Sequence, residues 1–190
     1  MKRSLYLSAL FSLCAPAWAQ SIPLGEIVGD DRSIRDPLYG LSARYPTGWM
    51  VRGITRWGDR ETMIFLGTPS LSSTAFPTLY YRFFSNPMPM SGAAESYLHE
   101  LARKKEEERI AGGLADYANV VDSFEFKTIG GHPAMSYSAR FTGGGTTQVE
   151  YFVRVLSANG VALFFLRAPL QEFEGLRPDF DAMVETVRLP

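Results

Sequence analysis

The chain is poor in the residue types most often used for chemistry: 190 residues contain one cysteine, Cys14, and two histidines, His99 and His132. A single thiol excludes a disulfide framework and every cysteine-rich zinc or iron–sulfur centre. Charge of either sign is not in excess either, with 19 Lys and Arg against 20 Asp and Glu and a net charge of −1. Proteins that bind polyanions need a basic surplus to neutralise phosphates, so no nucleic-acid role is expected. No uncharged apolar run approaches the ~20 residues that cross hydrocarbon. What is present is a composition of 46% hydrophobic, 13% aromatic and 21% charged residues, which belongs to a folded, aromatic-rich domain and not to a disordered chain.

At the N-terminus Lys2 and Arg3 precede an apolar run from Leu5 to Cys14, then Pro16 and the small-x-small triplet Ala17-Trp18-Ala19. This is the layout of a secretory signal peptide, residues 1–19, cut after Ala19. The alternative, a lipoprotein signal with Cys14 lipidated, is disfavoured because such signals carry a small residue before the cysteine, and Leu13 stands there. Cleavage removes Lys2, Arg3 and Cys14, leaving 17 basic and 20 acidic residues, a net charge of −3 and no thiol. A periplasmic or secreted location is expected, with thiol nucleophiles and redox relays closed to the exported chain.

Residues 20–37 mix Gly, Pro, Asp and Arg without a sustained period and read as a leader or linker. The globular domain is expected over 38–190, long enough for one core that hides roughly 70% of the unfolded surface. Short aromatic and β-branched runs bounded by turn residues predict strands over Leu38–Tyr45, Met50–Trp57, Thr62–Gly67, Thr78–Phe84, Val120–Ile129, Ala134–Phe141, Thr147–Leu156 and Val161–Arg167. Gly143-Gly144-Gly145 and Ser157-Ala158-Asn159-Gly160 connect the last three as an antiparallel meander. The run VALFFLR is apolar at consecutive positions, which predicts burial on both faces and a central strand. Helices are predicted over Gly92–Ile110 and from near Pro178, with Leu170, Phe173 and Leu176 in a short helical turn before the second. The pattern gives an α+β class, an α/β/α-type sandwich around a central, mostly antiparallel sheet.

Several strings carry a resemblance to a known family. Tyr39-Gly40-Leu41, Tyr45-Pro46-Thr47-Gly48-Trp49, the turn Ile129-Gly130-Gly131-His132-Pro133-Ala134 and the closing Phe180–Arg188 helix resemble the PsbP-like domain family, in its bacterial envelope, DcrB-like branch. The likeness implies an antiparallel sheet flanked by helices and a binding or accessory role without chemistry. The sequence departs from the photosynthetic branch in its bacterial-type signal and in having no obvious metal-ligand string.

Motifs for chemistry are few. There is no G-x-S-x-G elbow, H-E-x-x-H, P-loop or G-x-G-x-x-G string. His99 reads as a helix-flank residue, and His132 as a turn residue that either holds the turn by a hydrogen bond or reaches the rim of the sheet. Met88 and Met90, in Asn86-Pro87-Met88-Pro89-Met90, are weighed as thioether ligands for Cu(I) and read as a rigid, extended loop whose methionines cap the nearby core or adapt to an apolar partner. Trp57 beside Arg56 is the expected interface anchor; the other reading of Trp57 is packing at a strand end. The leading expectation is a non-enzymatic secreted or periplasmic protein that recognises a protein partner through a sheet face or loop rim, with Trp57, Arg56, Met88, Met90 and His132 at that surface. No cofactor, metal or nucleic acid is expected, and the chain is not expected to be an integral membrane protein. The alternatives are a small-ligand or lipid-binding envelope protein with a pocket, and a hydrolase with an unrecognised site.

Overall fold

The computed structural model describes residues 19–21, 25, 27–36, 40–58, 60–69, 75–83 and 94–190. In chain order the strands are β1 (Ala19–Ser21), β2 (Ser33–Asp36), β3 (Leu41–Arg44), β4 (Met50–Trp57), β5 (Glu61–Gly67), β6 (Phe76–Phe83), β7 (Ala118–Asn119), β8 (Glu125–Ile129), β9 (His132–Gly143), β10 (Thr146–Ser157) and β11 (Gly160–Pro169). Helix α1 spans Ala94–Ala111 and α2 spans Leu170–Glu185. Among the described residues nine strands form one antiparallel sheet in the order β1-β4-β5-β6-β11-β10-β9-β7, with β8 also paired to β9, while β2 and β3 form a separate pair. This is the expected α+β sandwich, and β11 holds the expected central place, but it is not buried on both faces as expected, since Leu163, Phe165 and Arg167 on one face are only half-buried.

Strand alternation divides the core in two. On one face Leu79, Ile64, Phe164, Val153 and Tyr151 meet Phe173, Phe180, Met183 and Val184 of α2, together with Ile34 and Leu41 of the small pair. Tyr151 receives Phe173 and Phe180 edge-on, with ring centroids 6.0 and 5.9 Å away. Each fully buried ring of this kind contributes about 1.5–3 kcal/mol by leaving water. On the other face Leu98 and Ala102 of α1 lie against Met135, Tyr137 and Phe152.

The turns explain the meander only in part as expected. Gly144 and Gly145 both have positive φ, at 60° and 79°, as a two-residue type I′ hairpin requires. In the next hairpin Ser157 pairs with Gly160, so Ala158 and Asn159 are the central residues and the Asn-Gly pair is not. The Ser157 hydroxyl holds that turn, accepting from the Asn159 N–H and donating to the Gly160 carbonyl, each at 3.3 Å. Near the start, Gly48 at φ 81° turns Trp49 into the core, where it is 4% exposed.

Three elements differ from expectation. The segment read as a leader or linker is not one throughout: Ile27 and Ile34 are buried at 3% and 0% exposure, and β2 pairs with β3. Two isolated isoleucines are too few to show a period, yet they suffice to fasten the segment to the core. The strand expected over 120–129 begins as a 3-10 turn at Val121–Ser123, because the Ser123 hydroxyl takes the Ser138 N–H at 2.8 Å in place of a backbone carbonyl. The second helix does not start near Pro178; α2 is continuous from Leu170, with Pro178 inside it. Pro178 and Glu174 are both exposed, so the carbonyl that the proline leaves without a helical donor faces water.

Candidate functional site

The sheet face beneath α1 can be followed in rows across β9, β10, β11, β6 and β5. One row is Met135, Arg154, Leu163, Tyr80 and Met63, and the next is Tyr137, Phe152, Phe165, Thr78 and Phe65. Rings stack along the second: Phe124 on Tyr137 at 5.2 Å, Tyr137 on Phe152 at 4.8 Å and Phe152 on Phe165 at 5.1 Å. Helix α1 packs over the β9 side. Beyond it, on β11, β6 and β5, Leu163, Phe165, Tyr80 and Met63 are half-buried, while Phe65 is 37% and Phe76 56% exposed. No described element packs over this half of the face. It is an apolar, aromatic shelf of the kind that marks an interaction surface.

Trp57, the expected anchor, stands at the end of β4 opposite Glu61, on the shelf side and half-buried. Its neighbour does not join it. Arg56 points to the opposite face, because successive strand residues alternate, and pairs there with Asp36, which is 1% exposed. The Tyr81 hydroxyl donates to the same carboxylate oxygen, and Arg56 Nε donates to Thr62 Oγ1 at 3.2 Å. Arg56 is thus a buried tie between the main sheet and β2, and the expectation of an exposed Trp-Arg anchor is corrected.

The floor under α1 holds charges that the sequence reading did not single out. Glu150 is 0% exposed; its Oε1 accepts from Arg109 at 2.9 Å and from Arg167 Nε at 2.9 Å, and its Oε2 accepts from the Tyr117 hydroxyl at 2.9 Å. Burial, reinforced by the Glu150 charge, pushes the Tyr117 phenol far above its ordinary range. Burial, then the Arg109 charge, pulls the Lys105 ammonium below its usual value. Four residues along β10 on the same face, Arg154 is 7% exposed and lies with its guanidinium carbon 5.9 Å from the ring centres of both Tyr137 and Phe152. The legible signal was the spacing: Glu150 and Arg154 fall at i and i+4 in an otherwise apolar strand, hence on one face.

The histidines are separate from this floor. His132 is half-buried, with Nε2 3.3 Å from the Leu189 carbonyl, so it ties the turn to the C-terminal tail. His99 is exposed and meets Phe124 at a tilt and Phe126 edge-on, with ring centroids 5.1 and 5.0 Å away, and lines an open groove of about 590 Å³ together with Glu100, Arg103, Glu106 and Asn119. That groove is rimmed by charged side chains and differs from the enclosed apolar pocket a lipid-binding reading calls for. Among the described residues no three His, Cys, Asp or Glu side chains gather as metal ligands, and no helix is long and apolar enough to cross a membrane. Met88 and Met90 lie outside the described residues.

No family model matches the sequence, and no curated protein matches it. Solved structures do resemble the fold. A protein from Bacteroides thetaiotaomicron is 14% identical with a TM-score of 0.53, the match covering 85% of this chain and 49% of that one, so the chain spans about half the length of that protein. The solution structure of cyanobacterial PsbP (CyanoP) from Synechocystis is 12% identical with a TM-score of 0.53, over 86% of this chain and 95% of that one. At such identities the likeness is one of architecture, and the architecture of this chain is PsbP-like.

Proposed function

We propose that the protein is a non-enzymatic binding or accessory module of the bacterial cell envelope, or a secreted one, that holds a protein partner on the half of that sheet face over which no described element packs. One observation carries this reading: α1 packs chiefly over β9, and among the described residues no element packs over the β6 and β5 part of the face, where Phe65 and Phe76 remain 37% and 56% exposed. Aromatic side chains held on a rigid sheet bind with little loss of conformational entropy and are favoured interface anchors. Export is part of the proposal, supported by Lys2 and Arg3, the apolar run to Cys14 and the Ala17-Trp18-Ala19 triplet. Placement in the DcrB-like branch belongs to the same proposal and rests on the Tyr45–Trp49 and Ile129–Ala134 strings.

The test is affinity capture from the native host's envelope extract with the exported chain. A stoichiometric partner should be retained by the wild-type protein and by Ile110→Asp, which alters an exposed residue of α1. The same partner should be lost with Phe65→Asp and weakened with Trp57→Ala. A chain that emerges alone, or a partner indifferent to Phe65→Asp, would sink the reading.

A further inference from the structure

Among the described residues, the face beneath α1 contains a guanidinium, that of Arg154, with no carboxylate partner. Arg154 is 7% exposed, and its guanidinium donates only from one terminal nitrogen: to the Tyr137 hydroxyl at 3.2 Å and, at 3.5 Å, to the Leu101 carbonyl. Nε has no hydrogen-bond partner. Glu150, on the same face, is shared by Arg109 and Arg167, and among the described residues no carboxylate pairs with Arg154. An uncompensated buried charge is costly. A lysine so placed could discharge, whereas an arginine keeps its proton; the rings of Tyr137 and Phe152 stabilise the guanidinium in part, and a bound anion would supply the counter-charge that no described carboxylate gives.

The surroundings say what kind. Across the strands from Arg154 the same row continues as Leu163, Tyr80 and Met63, all half-buried. With strands about 4.8 Å apart, that track runs roughly 14 Å out across the shelf. A cation recessed at one end and an apolar track leading away from it match the head and tail of an amphipathic anion. We infer that Arg154 and the Leu163–Tyr80–Met63 row form a site for a free aliphatic carboxylate, its head group at the guanidinium and its chain along the row. A single alkyl chain reaches a cation recessed under α1 more readily than an acidic side chain whose backbone would have to follow it. The inference concerns a small ligand and stands independently of the protein-partner reading.

Decanoate, 1-decanol and decyltrimethylammonium, each below its aggregation limit, are titrated into the exported chain by calorimetry. Decanoate should bind saturably with one site per chain, and the alcohol and the cation at least tenfold more weakly. Arg154→Met should lose decanoate at least tenfold while melting at the same or a higher temperature, since it removes a buried charge with no counter-ion; Arg154→Lys should recover part of the affinity. Equal binding of decanol and decanoate, no saturable decanoate binding, or wild-type affinity in a folded Arg154→Met would each overturn the inference. If Arg154→Met does not fold, the comparison of decanoate with decanol on the wild-type chain decides.

Discussion

Arg56 and Trp57 are adjacent in β4 and lie on opposite faces of the sheet, the arginine locked onto buried Asp36 and the tryptophan at the edge of the aromatic shelf. Their separation gives them different energetics. Asp36→Ala removes the acceptor of both Arg56 and Tyr81 and should cost about 3–5 kcal/mol, the range for breaking a buried ion pair. Urea unfolding monitored by circular dichroism measures it. A loss below about 1 kcal/mol would mean that the pair behaves as a surface contact.

The same alternation sets Ile64 against Phe65 in β5, at 0% and 37% exposure. Ile64→Ala should destabilise by about 2–5 kcal/mol, as cavity-forming core changes do. Phe65→Ala should cost under about 1 kcal/mol, as at a surface position without special contacts. Comparable losses at both sites would show that the shelf is packed as core.

Gly130 and Gly131 both have positive φ, at 59° and 88°, but only Gly130 faces an obstacle. A Cβ there would stand 2.8 Å from the Val187 carbonyl oxygen, whereas at Gly131 nothing lies within 4 Å. Gly131→Ala should therefore cost about 1 kcal/mol of backbone strain and Gly130→Ala about 2–3 kcal/mol or more. Thermal melts of the two variants test the order.

Alkaline pH should unfold the protein. Burial raises the pKa of Tyr80, Tyr81, Tyr117 and Tyr137, and lifts that of Tyr151 to about 12 with help from the Asp181 charge. In the unfolded chain these phenols ionise near pH 10, so above that pH the unfolded state sheds protons that the folded state keeps. Stability is then fully present below pH 10 and falls as pH rises toward 12 and beyond. Tyrosinate absorbance should rise together with loss of secondary structure; ionisation of all five near pH 10 in an intact fold would contradict the burial.

The sequence made the main sheet legible because its strands are long and their apolar residues recur, and α1 legible because Leu98 and Ala102 repeat at helical spacing. It concealed β2 and the segment leading into it, whose buried isoleucines, Ile34 and Ile27, sit among Gly, Asp and Arg. It concealed the continuity of α2, since a proline is tolerated inside a helix when the carbonyl it orphans faces solvent. At the site, a sheet face was one of the expected surfaces, but the residue pair chosen to mark it ignored alternation, which sends Arg56 to the other face. The spacing of Glu150 and Arg154 put both on one face of β10, but only the helix laid over that face shows that the Arg154 charge is enclosed.

The closing residues of the chain bear on how the fold assembles. Ser42 and Arg188 exchange backbone hydrogen bonds at 3.0 and 2.9 Å, Thr186 Oγ1 accepts from the Arg44 N–H at 2.7 Å, and His132 meets Leu189. Contacts of such sequence separation form late, because their loop-closure entropy must be met first. The meander of β9, β10 and β11 is local and can form early, but β3 has no neighbour on its tail side until residues 186–189 arrive. The domain therefore cannot seal until residues 186–189 have left the ribosome, and until then the segment around β3 remains open to chaperones and proteases.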